Sequence, residues 1–141
     1  MTTHRWPRPS RWATVGLTTL VLVGGSLLPV PFERHSSFEG LGPDTILHFL
    51  GYAGLAVTLA DALADDEISP ASRGLLTVGT ATGIAVGTGR LQRYVPGRAH
   101  ERTDVLAGIF GAIMGVLWTM ASAGRWTPDR ERDRVYRSVP R

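Results

Sequence analysis

The stretch DTILHFLGYAGLAVTLADALA, residues 44–64, decides the fold. Its polar residues Asp44, His48 and Tyr52 stand four apart at one end of a largely apolar run, so on a helix they share a face. From Thr45 to Ala64 the run has close to the ~20 residues that a helix rising ~1.5 Å per residue needs to cross ~30 Å of hydrocarbon. Three further blocks have similar length and character: Trp12 to Val30, Gly74 to Gln92 and Val105 to Ala123. Nearly all apolar residues fall inside the four blocks, and the stretches between them are rich in Arg, Asp and Pro. No other set of amphipathic elements remains from which to build a water-soluble core.

The sequence therefore predicts an all-α protein, a four-helix transmembrane bundle with short loops and charged cytoplasmic tails. Residues 1–11 form a basic N-terminal tail, 12–124 the membrane domain and 125–141 a charged C-terminal tail. The first block has an alternative reading as a secretory signal, since Arg5, Arg8 and Arg11 precede it and Gly24, Gly25 and Ser26 follow an apolar run. The apolar character continues through Leu27, Leu28 and Val30, longer than such a signal needs, which favours an uncleaved helix.

All 15 cations are arginine. In an alternating topology ten of them (Arg5, Arg8, Arg11, Arg73 and the six from Arg125 to Arg141) share the side of the termini, against Arg34, Arg90, Arg93, Arg98 and Arg102 on the other. The positive-inside rule places both termini of this multi-pass protein in the cytoplasm of a cell membrane. Arg90 and Arg93 fit as side chains that snorkel to the headgroups. The formal charge of +3 and a pI of about 10.2 do not indicate nucleic acid. The tail arginines alternate with Asp129, Glu131 and Asp133, and no aromatic and basic interleaving of an RNA-binding module is present. With no cysteine, disulfides, thiol catalysis and zinc-thiolate sites are excluded.

Small residues suggest packing faces. Gly79, Gly83 and Gly87 recur every four residues in the third block, and Gly111 and Gly115 do so in the fourth, with Gly108 one turn earlier. Such spacing lets helix backbones approach closely in lipid. Two outcomes stay open: tight packing of helices three and four as an antiparallel hairpin about the Pro96-Gly97 turn, or a homodimer through the glycine-rich helices.

Alternating spans bring Asp44, His48, Tyr52, Gln92, Arg98 and Asp104 to one end of the bundle. Asp44 and Asp104 each have a simpler reading as helix caps. His48 sits a full turn inside its helix at i+4 from Asp44, where an imidazole needs a partner: either a functional one or a stiffening hydrogen bond to Asp44. The Arg98 guanidinium can meet a carboxylate or a phosphate bidentately. Gln92 adds neutral hydrogen-bonding capacity at the end of its helix, or marks the membrane boundary.

Asp44, His48, Phe49, Tyr52 and Leu55, then Gln92, the run Tyr94-Val95-Pro96-Gly97-Arg98, Asp104, Gly111 and Gly115 resemble the VanZ-like family of small membrane proteins. The resemblance covers roughly residues 41–117 and implies a cell-envelope role without supplying an established reaction. Two positions depart from it: Gly89 stands where the family commonly has a Glu three residues before the Gln, and Gly108 where it commonly has an Asn one turn after the Asp.

The function expected is binding of an anionic envelope component, a lipid headgroup or a glycan precursor, at an outward-facing polar site of Asp44, His48, Tyr52, Gln92, Arg98 and Asp104. Arg98 would hold the anion. One alternative is a membrane-embedded hydrolase or transferase on a lipid-linked substrate, with His48 as general base tuned by Asp44. No Ser, Thr or Cys nucleophile stands in a recognisable motif. Another alternative is a structural membrane protein without a ligand. No metal or cofactor is expected, because one histidine among carboxylates is a weak ligand set. The partners are the bilayer itself and this anionic component.

Overall fold

The computed structural model describes residues 10–29, 42–65, 67–96 and 102–123. Arg98 and both charged tails, apart from Ser10 and Arg11, lie outside them. Among the described residues the chain is all-helical: α1 (Arg11–Leu27), α2 (Pro43–Ala62), α3 (Pro70–Leu91) and α4 (Arg102–Ala123). Short 3-10 turns, Leu63–Asp65 and Gln92–Tyr94, follow α2 and α3.

Local signals account for the starts. The Ser10 Oγ accepts from the Ala13 amide at 3.1 Å and caps α1. The Ser69 Oγ accepts from the Ser72 amide, also at 3.1 Å, just ahead of Pro70 at the first helical position of α3. These caps move two boundaries from their sequence expectation. Arg11 belongs to α1 instead of a tail, and α3 begins four residues before Gly74, because a capped Ser-Pro start outweighs the polarity of Ser72 and Arg73.

Four contacts fix the topology. At one end the Thr45 hydroxyl donates to the Asp104 carboxylate at 2.9 Å, joining the first turns of α2 and α4. The Gln92 Nε2 donates to the Ser26 carbonyl at 3.2 Å, joining the last turns of α1 and α3. At the opposite end Arg11 on α1 bridges to Asp61 on α2, with Nε 3.5 Å from Oδ2. There too Gly74 on α3 lies against Met120 and Val116 on α4. The helices therefore run up, down, up, down.

The most extensive interface joins the parallel pair α2 and α4. A Cβ on Gly111 would fall inside the Phe49 carbonyl of α2, and one on Gly115 would lie 2.5 Å from the Ala53 oxygen. Backbone meets backbone there, which only glycine allows. α3 and α4 do pack together, through Gly74 against Met120 and Val116 and Gly108 beside Ala85, but Gly111 and Gly115, expected at that contact, meet α2 instead. A Cβ on Gly79, Gly83 or Gly87 of α3 would meet nothing within 4 Å, so that row faces outward.

The interior is filled mostly by small apolar side chains, while many large ones remain exposed. The core is made of Ala56, Ala81, Ala85 and Ala112 with Tyr52, Leu55 and Val116. Large apolar side chains stand outside on every helix, for example Leu20 on α1, Leu47 on α2, Leu75 on α3 and Phe110 on α4, each more than half exposed. By length and composition two helices can cross a membrane, Pro43–Ala62 and Arg102–Ser122. The expectation that all four blocks qualify holds for these two alone. At 17 residues α1 is short, and α3 is diluted by four threonines and five glycines.

The close α2–α4 approach makes a sharp comparison. Gly111→Ala should cost about 3 kcal/mol, because the methyl meets backbone that cannot yield locally. Gly83→Ala should be neutral or stabilising by up to about 1 kcal/mol from helix propensity. Denaturant titration of both variants, followed by circular dichroism, checks the contrast.

Candidate functional site

The polar end is built from the first turns of α2 and α4 and the last turns of α1 and α3. Pro43 occupies the first position of α2 with Gly42 as its cap, so Asp44 is one residue inside the helix. The reading of Asp44 as the capping residue is thereby corrected. It remains in the first turn, where the helix dipole favours a carboxylate.

One turn on, the His48 Nδ1 lies 3.0 Å from the Asp44 main-chain oxygen. A carbonyl can only accept, so Nδ1 carries the proton and donates. The neutral ring then has Nε2 as its unprotonated nitrogen. The stiffening bond weighed from the sequence exists, but to the Asp44 backbone rather than to its side chain. Asp44 and His48 both line a groove of about 550 Å³ between α1 and α2. Its walls are otherwise largely apolar, including Leu17, Val21, Leu22 and Leu47. The helices come together at the Gly51–Leu22 contact, where a Cβ on Gly51 would lie 2.5 Å from a Leu22 methyl. Here is an imidazole and a carboxyl-bearing helix start at one end of a slot between two helices.

Asp104 is 2% exposed and faces a different neighbour. It accepts from the Thr45 hydroxyl, so its role as a simple helix cap gives way to that of a tie between α2 and α4. Thr45 is not among the polar residues that the sequence marks for this end. Its signal was available: it adjoins Asp44 on the helix that α4 must meet. Gln92, also 2% exposed, ties α3 to α1 through the Ser26 carbonyl. It is a cross-brace, and the residue it grips was legible only as part of a small-residue run.

Tyr52 departs from the groove. Its ring is fully buried and rests on Gly108, where a Cβ would come within 2.7 Å of the ring, with Ala85 beside it. The ring centroids of His48 and Tyr52 are 6.2 Å apart. The Tyr52 hydroxyl has no partner in hydrogen-bond geometry, although the Thr88 side chain reaches toward it. Gly108, the position where the resembling family commonly has Asn, is thus the seat of an aromatic ring. Gly89, the other departure, is a buried glycine in the last turn of α3.

The structure brings Asp44 and His48 together on the groove, and places Asp104, Gln92 and Tyr52 behind them as packing and bracing groups. Among the described residues, no cluster of three or more His, Asp or Glu side chains could hold a metal ion. Comparison with protein-family models, with curated proteins and with solved structures finds no match to this chain.

The Thr45–Asp104 tie is testable by a double-mutant cycle. A hydrogen bond to a buried carboxylate contributes about 1.5–3 kcal/mol, so Thr45→Val should destabilise by an amount of that order. Combined with Asp104→Asn, the loss should fall short of the sum of the singles by about 1 kcal/mol or more. Additive losses would place the two side chains in separate environments.

Proposed function

We propose that this chain is a four-span, VanZ-like membrane protein that binds an anionic amphiphile of the cell envelope at its outward-facing polar end. The exposed apolar surface supports the membrane placement: leucines face outward on all four helices, joined by Trp12 on α1 and by Phe110 and Trp118 on α4, while Thr45, His48, Thr77, Thr88, Gln92 and Asp104 are inside. Two half-buried threonines of α1 are satisfied within the helix, Thr18 donating to the Thr14 carbonyl and Thr19 to that of Val15. At ~1.5 Å per residue, α1 spans about 26 Å and α3 and α4 about 33 Å, which brackets a ~30 Å hydrocarbon layer. Low hydropathy in α3 comes from uncharged Thr and Gly, and its arginines, Arg73 and Arg90, lie near its ends.

The observation that carries the ligand class is the groove between α1 and α2. It joins Asp44 and His48 to an apolar slot open along the side of the bundle, a shape suited to a headgroup with an attached chain. This favours a lipid headgroup over a free glycan precursor. Arg98 enters the proposal by its place in the chain alone, between Pro96, which follows the 3-10 turn after α3, and Arg102 at the start of α4. Its guanidinium supplies the fork for a phosphate or carboxylate, and His48 and Asp44 set the orientation of the bound head.

A second reading has its own observation. The His48 Nδ1–H···O=C bond leaves Nε2 as a base, which is the tautomer a general-base hydrolase or transferase would use.

One assay separates the two readings. Purified wild type, Arg98→Lys and His48→Gln are incubated with extracted envelope lipids, and bound and chemically altered species are measured separately. Binding predicts a discrete anionic lipid on the wild type, about tenfold weaker retention by Arg98→Lys because the planar fork is lost, and a small change in His48→Gln. A product formed by the wild type and absent with His48→Gln would overturn binding in favour of catalysis.

A further inference from the structure

A second cavity, of about 650 Å³, lies at the end of the bundle opposite Asp44 and His48. It opens between the end of α2, the start of α3 and the end of α4, within the ~300–1,000 Å³ range of small-molecule sites. Val57, Val116 and Met120 form an apolar part of its wall, and Arg73, Asp61 and Ser122 supply polar lining. Gly74 keeps α3 close to α4 at that wall, since a Cβ there would meet Met120 at 2.8 Å and Val116 at 3.2 Å.

Of the charged side chains that line this cavity among the described residues, one is already paired. Asp61 is engaged by Arg11, whose Nε lies 3.5 Å from the carboxylate and whose Nη1 donates to the Asp61 main-chain oxygen at 3.1 Å. Arg73 has no carboxylate partner among the described residues, and its Nε is buried without a hydrogen-bond partner. A guanidinium with a desolvated, unanswered N–H beside an apolar cavity is complementary to an anion that carries an apolar chain. The first turn of α3, from which Arg73 follows directly, adds the positive end of its helix dipole on the same side.

We infer that the cavity at Arg73 is a second binding site, separate from the groove at His48, for an anionic amphiphile whose phosphate or carboxylate pairs with Arg73 and whose chain lies against Val57, Val116 and Met120. The same anion chemistry is offered by a lipid headgroup and by free phosphate. The apolar wall assigns the site to the lipid.

The test uses the purified full chain in a maltoside detergent, with native mass spectrometry reading adducts of lysophosphatidic acid. Monoolein serves as the uncharged probe and inorganic phosphate as the anion without a chain. The expected result is a lysophosphatidic acid adduct that weakens at least about tenfold in R73Q. The same adduct should be lost in A64W, which fills the mouth, and should persist in R90Q, which removes the same charge at the far end. A64W carries the test if R73Q fails to fold, as judged by its gel-filtration profile. An adduct count that both R73Q and A64W leave unchanged belongs to the other groove and overturns this site. Equal binding of monoolein would also overturn it, as would equal binding of inorganic phosphate.

Discussion

Everything in this bundle depends on how closely α4 approaches α2. Gly111 and Gly115 let the α4 backbone meet the carbonyls of Phe49 and Ala53, and Gly108 receives the ring of Tyr52. Individual dispersion contacts are worth ~0.1–0.2 kcal/mol, so an interface of this kind gains only by making many at once, and a single methyl at its centre forfeits the approach. The same approach sets the first turns of two parallel helices side by side, so Thr45 can reach Asp104. The polar end follows from the glycine contact rather than from attraction among its charges.

Around that pair, α1 and α3 are held by few but specific ties. Gln92 grips the Ser26 carbonyl at one end, and Arg11 grips Asp61 at the other. Because α1 touches α2 closely at Leu22 and Gly51, a groove is left between them toward the polar end, and His48 stands there. At the far end, the packing of Gly74 against Met120 leaves the cavity beside Arg73. Two largely apolar spaces at opposite ends are thus consequences of the same glycine-directed packing. One is lined by an imidazole and the other by a guanidinium.

Much of the fold was legible in sequence, because apolar block length and Gly spacing are local signals that a bundle cannot disguise. All four helices lie where the blocks stood, shifted by caps such as Ser69 that act over three residues. Partner choice was not legible. Nothing in the spacing of Gly111 and Gly115 says whether α2 or α3 will meet them, since that depends on the rotation of each helix. Tyr52 does continue the His48 face, with ring centroids 6.2 Å apart, but its depth under α4, which keeps it out of the groove, was not legible. Asp104 and Gln92 were visible as polar residues at one end, but their work as braces depends on Thr45 and Ser26, which look ordinary in sequence.

The central claim is a membrane bundle whose polar end faces outward, and the absence of native cysteine allows a direct measurement. Single substitutions Ser37→Cys, Ala99→Cys and Ser138→Cys are labelled in intact cells with a membrane-impermeant thiol reagent, then again after permeabilisation. The account predicts that cysteines at positions 37 and 99 react from outside, while the one at position 138 reacts only after permeabilisation. Reaction of all three from outside, or of none before permeabilisation, would contradict it.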